Sequence, residues 1–177
     1  MRRALLFAVL LTAMPLAAQY RMALDVTGGK SITTWHGQAD MQTLDVELAR
    51  DLGTRWEIAG VAAAHSLWQP RSWFGNLFND GSEKVYGASV SLLARRRFDA
   101  IGAFEPYVEA ATGPIWATRQ IPESTSRFNF MTQIGAGVNV GRMRLGYRFQ
   151  HISNGGYSPR NPGVNVSSLV VGVRFNR

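Results

Sequence analysis

The chain contains no cysteine among its 177 residues. That excludes a disulfide framework and a thiolate metal site. Beyond the N-terminus it has no apolar run approaching the ~20 residues that a membrane helix requires. Only 18% of its residues are charged and only three are histidines, and no metal-ligand spacing is found among them. Overall hydropathy would suit a soluble protein. It would also suit a membrane β-barrel, where only every second strand residue faces lipid.

What is present begins with a leader. Arg2 and Arg3 form a positive start, Ala4 to Met14 an apolar stretch, and Pro15-Leu16-Ala17-Ala18-Gln19 a small-residue end. Together these predict a secretory signal over 1–18, leaving 19–177 as one exported domain. Formal charge is +7, two units less without Arg2 and Arg3. Export argues against a nucleic-acid partner and favours anionic, phosphorylated lipid.

After the leader the chain alternates with period two, the mark of strands with two unlike faces. Met22, Leu24 and Val26 alternate with Ala23, Asp25 and Thr27; Leu44, Val46 and Leu48 with Asp45, Glu47 and Ala49; Met143, Leu145, Tyr147 and Phe149 with Arg144, Gly146, Arg148 and Gln150. Eight such segments can be counted, each near the ~9–11 residues that cross a bilayer as a tilted strand. The connections alternate long and short. Gly28 to Gln38, His65 to Lys84, Ala117 to Arg127 and Asn154 to Val164 read as long loops, whereas Asp51 to Thr54 and Gly141-Arg142 read as tight turns. The pattern predicts an all-β fold: an eight-stranded antiparallel transmembrane β-barrel of the outer membrane, long loops outward.

The charged face (Arg21, Asp25, Asp45, Glu47, Glu57, Arg95, Glu109, Arg144, Arg148) then fills the barrel as a paired polar lumen. Tyr20, Trp56, Tyr86, Tyr107 and Trp116 sit near strand ends, where interfacial girdles form. A soluble lipocalin-like barrel would place the apolar face inside instead. His36 and His65 fall in or beside loops and read as solvated, as do Arg71, Lys84, Arg119 and Arg127. Gly135-x-Gly137 lies inside a strand and gives no dinucleotide site.

One constellation carries chemistry: His151-Ile152-Ser153-Asn154-Gly155-Gly156, followed by Asn161-Pro162-Gly163-Val164-Asn165. His151 and Ser153 are two apart on a strand, so both point to one face with Cβ atoms ~7 Å apart. They continue the apolar, lipid-facing row of their strand. Polar groups there are costly and mark a role. Asn165 opens the next strand with the same parity. Ser153 is thus a candidate nucleophile, His151 its base and Asn165 the group that orients the imidazole. Asn154 with the amides of Gly155 and Gly156 is a candidate oxyanion hole.

This final stretch resembles the lipid A 3-O-deacylases of the PagL type. The resemblance implies an outer-membrane esterase that removes the acyl chain at position 3 of lipid A in lipopolysaccharide without a cofactor. His151 and Ser153 would match the base and nucleophile, and Asn154 with its glycines the oxyanion hole. The characterised member has Glu where this chain has Asn165, which can orient the histidine but adds no charge. A non-catalytic barrel of the OmpA or OmpW kind, structural or adhesive, is the alternative. Whether two copies pair as a homodimer is left open.

Overall fold

A computed structural model describes residues 20–31, 40–70, 82–121 and 125–175. The expected leader, His36 and Arg71 lie outside the described residues. The eight strands are β1 (Arg21–Ser31), β2 (Asp40–Leu52), β3 (Trp56–Pro70), β4 (Ser82–Arg97), β5 (Phe104–Ala117), β6 (Phe128–Val140), β7 (Met143–Ser153) and β8 (Val164–Arg174). Each pairs antiparallel with the next, and β8 pairs with β1 to close the barrel. Closure leaves no unpaired edge, the condition for a sheet in lipid.

The two faces are inverted relative to a soluble barrel. On β1, Met22, Leu24 and Val26 are exposed while Asp25 and Thr27 between them are buried. The same holds for Leu44, Val46 and Leu48 against Asp45 and Glu47 on β2. A barrel with its aliphatic side chains outside and its carboxylates inside is built for hydrocarbon, which removes the lipocalin-like alternative.

The charged interior is paired, as the alternation predicts. Arg95 binds Glu47 and Glu109 at 2.8 Å and also Glu57. Arg144 reaches Asp25 at 2.9 Å and Glu47 at 2.8 Å. Arg148 reaches Asp45 at 2.6 Å and Glu109 at 2.9 Å. Each guanidinium meets at least two carboxylates, which offsets the desolvation of these buried ions.

Toward the long-loop end the interior turns apolar. Met41, Leu67, Val85, Ile115, Ile121, Met131, Ile152, Val164 and Val166 form one buried cluster. The strand ends joined through the longer connections, 32–39, 71–81, 118–127 and 154–163, are at that end, and those joined by the shorter turns are at the other.

Several expectations need correction. Tyr107 is not part of the outer aromatic girdle. It is 2% exposed and points inward, with Arg95 5.2 Å and Arg144 5.8 Å from its ring. Gly137 and Gly146 make room for it, since a Cβ at either would come within 2.5 Å of its hydroxyl. Trp56, Tyr86 and Trp116 do face outward. The predicted loops at Gly28 and His65 begin too early, because β1 continues to Ser31 and β3 to Pro70. His65 is therefore not solvated. It is buried in the lumen between Thr43 and Ser89. Lys84 belongs to β4, its ammonium 5.2 Å from the rings of both Trp68 and Tyr86, and Arg119 is paired with Glu83.

Candidate active site

Along β7 the outward row runs Met143, Leu145, Tyr147, Phe149, His151, Ser153. His151 and Ser153 are half-buried, whereas Gln150, Ile152 and Asn154 are buried on the inner side. The pair thus faces out, as parity predicts. Across the ladder His151 stands opposite Asn165 of β8 and Thr132 of β6, and Ser153 stands opposite Phe130.

His151 Nδ1 lies 2.7 Å from Asn165 Oδ1. An amide oxygen only accepts, so Nδ1 is the donor and Nε2 keeps its lone pair. That is the tautomer a general base requires. Among the described residues no hydrogen bond joins this ring to Ser153. Gly163, at φ +69°, packs against the imidazole: a Cβ there would stand 2.8 Å from Cε1. Both the left-handed backbone and the ring demand glycine.

Asn154 and its glycines do come together, in a role different from the expected one. The Asn154 amide N–H donates to Asn161 Oδ1 at 2.9 Å, its Nδ2 donates to the Arg160 carbonyl at 2.6 Å, and its Oδ1 accepts from Gly156 N–H at 3.0 Å. Its side chain is 1% exposed. Asn154 therefore knots the loop from inside. Gly155 (φ +64°) and Gly156 (φ +83°) make the reversal. Among the described residues, Gly155 N–H and Asn161 Nδ2 make no hydrogen bond, and the Asn161 amide is anchored through its oxygen.

Sequence reasoning assigned no role to Asn161, Gly163 or Thr132, although Asn161 and Gly163 belong to the motif it singled out. Thr132, opposite His151, shares a 3.1 Å hydroxyl contact with Thr112 on the exposed wall. Its signal was a polar residue interrupting the apolar row of β6. Beneath the pair, Ile152, Val164 and Val166 are fully buried in the apolar cluster, so both strands carrying the site rest on packed hydrocarbon rather than on a channel.

A closed eight-stranded barrel with this inversion of faces is an outer-membrane protein. The family model for lipid A 3-O-deacylase (PagL) matches residues 50–174, a span that includes His151, Ser153 and Asn165. The chain belongs to the lipid A 3-O-deacylase (PagL) family. The crystal structure of the outer membrane enzyme PagL superposes with a TM-score of 0.58 at 20% identity, covering 84% of this chain and 98% of that one. Neisserial surface protein A gives 0.64 at 14% identity, covering 90% and 97%. The N-terminal β-barrel domain of Pseudomonas aeruginosa OprF gives 0.53 at 18%, covering 89% and 98%. These likenesses are of fold. No curated protein matches the chain.

Proposed function

We propose that this chain, exported by its 1–18 leader, hydrolyses the ester-linked acyl chain at position 3 of lipid A in the outer leaflet, with Ser153 as nucleophile. The observation that carries the reading is the 2.7 Å bond from His151 Nδ1 to Asn165 Oδ1 on the lipid-facing wall. It fixes the ring with Nε2 free, two residues from a serine on the same face. Ser153 Oγ attacks the ester carbonyl and its proton passes to His151 Nε2. Gly155 N–H and Asn161 Nδ2 receive the oxyanion. His151 then gives the proton to the leaving sugar hydroxyl, and a water activated by the same Nε2 releases the fatty acid from Ser153. The hydrogen bond between Ser153 and His151 is made in the substrate complex, where catalytic contacts tighten.

The site's end carries the longer loops, which in outer-membrane barrels are extracellular. His151 and Ser153 then lie at the outer-leaflet boundary, where the sugar–acyl ester is found. All the proposed groups come from one chain, so a second copy is not required.

Mass spectrometry of lipid A from cells expressing wild type or Ser153→Ala tests the reading. Wild type should remove one hydroxyacyl mass and Ser153→Ala none. Identical spectra with both proteins would leave the structural or adhesive barrel as the better description.

A further inference from the structure

Beside the site the outer wall is hollowed. The depression is an open groove over β8, β1 and β2 with a volume of about 590 Å³, within the size range of pockets that hold small ligands. Tyr147 and Leu169 border it on the site's side and Trp68 on the far side. Gly28 lines it at an outward position that carries no side chain, and a Cβ there would meet nothing within 4 Å. Gly28 stands opposite Gln42 on β2 and Leu169 on β8. Lys30 and Asp40 line the depression nearer the loop end.

The depression approaches the proposed site along β8. The Tyr147 hydroxyl is hydrogen-bonded to Ser167 Oγ, and Ser167 also lines the hollow. Ser167 is two residues from Asn165 on the same face of β8, a distance of ~7 Å. It stands opposite Phe149 on β7 and Lys30 on β1.

Chemistry says what lies on that side. His151 protonates the leaving alcohol, so the sugar bearing that alcohol sits on the His151 side of Ser153. Asn165 flanks His151 on β8, and β1 lies beyond it. Chains still attached to the sugar are thereby led toward the hollow. An apolar hollow in a lipid-facing wall fills with hydrocarbon. Lys30 and Asp40 above it suit a phosphorylated sugar, which offers an anion to one and hydroxyl or amide donors to the other.

We propose that this depression seats an acyl chain that the lipid substrate retains, not the one it loses, and that the bare Gly28 position provides the room. The proposal rests on the esterase reading above. It makes β8–β1–β2 a recognition surface for multiply acylated lipid, separate from the Ser153 side where the cleaved chain departs.

The test compares purified full-length wild type, Gly28→Leu, Gly28→Ala and Gly60→Leu in detergent micelles. Gly60 faces outward on β3, also with nothing within 4 Å of a Cβ, and lies outside the depression. Two substrates are used: multiply acylated lipid A, and a glucosamine carrying a single 3-O-acyl chain. The readout is the ratio of their kcat/KM values. Gly28→Leu should lower that ratio about tenfold, the effect of excluding roughly two methylenes from the hollow. Gly28→Ala should lower it less, and Gly60→Leu should leave it at the wild-type value. An unchanged ratio in both Gly28 variants, or an equal fall in Gly60→Leu, overturns the proposal while leaving the esterase intact. Wild type inactive on both substrates overturns the esterase reading and this proposal with it.

Discussion

His151 and His65 both sit toward the long-loop ends of their strands, and each has hydroxyl groups nearby. His65 points into the lumen, 3% exposed, with Nδ1 3.1 Å from Thr43 Oγ1 and Nε2 2.8 Å from Ser89 Oγ. Both ring nitrogens are occupied, and a hydroxyl can donate or accept, so neither tautomer is imposed. His151 points outward, and its one partner among the described residues, an amide oxygen, imposes one tautomer and leaves the other nitrogen open. A serine beside a histidine therefore says little by itself. The face of the strand and the chemistry of the third residue separate the proposed base from the structural crosslink.

The sharpest way to break that contrast is to remove each ring's function in turn. His151→Ala should lower kcat on micellar lipid A by about 10²–10⁴-fold, the span typical of a lost general base. Thr43→Ala, at the lumen histidine, should leave kcat unchanged. A comparable fall in both would show that the lumen, not the wall, holds the reacting groups.

Stability should respond the other way. Arg148→Met leaves Asp45 and Glu109 buried without their shared guanidinium. It should cost about 3–5 kcal/mol in urea unfolding, with kcat of the folded fraction preserved. Asn165→Ala removes a bond to an imidazole that becomes charged during reaction. The expected loss in kcat is about 10–100-fold, matching ~1.5–3 kcal/mol, with the fold intact by circular dichroism. Asn165→Asp should recover that loss, because a carboxylate keeps the acceptor and adds charge. The smallest effect belongs to Ser89→Ala, about 1 kcal/mol in unfolding and nothing in turnover.

The wall was legible in the sequence wherever lipid contrasts with lumen. Asp25 between Leu24 and Val26, or Arg148 between Tyr147 and Phe149, states which way each side chain turns. The same parity placed His151, Ser153 and Asn165 on one face. The contrast fades at the outer strand ends, where the interior itself turns apolar and the outward side chains leave the hydrocarbon. The ladder continues there without a period to report it, so Lys30, Ser31, His65 and Ser66 read as loop. Gly29 misled in another way. It stands in a strand because a Cβ would lie 2.1 Å from Ser168 Oγ, a constraint invisible without the neighbouring strand. Tyr107 was misplaced because its residue type suits a membrane interface. Its neighbours Val108 and Glu109 already gave it inward parity. The knot around Asn154 depends on partners six and seven residues away, beyond any local pattern.

The buried cluster of Met41, Leu67, Ile115 and Ile152 also governs traffic through the molecule. It stoppers the tube at the end nearest the site, so the water that frees the fatty acid must arrive from the cell exterior, and the acid must depart sideways into the leaflet. Inserted into a planar bilayer, the protein should carry no ionic current. Catalysis at the surface then proceeds without perforating the permeability barrier it works on.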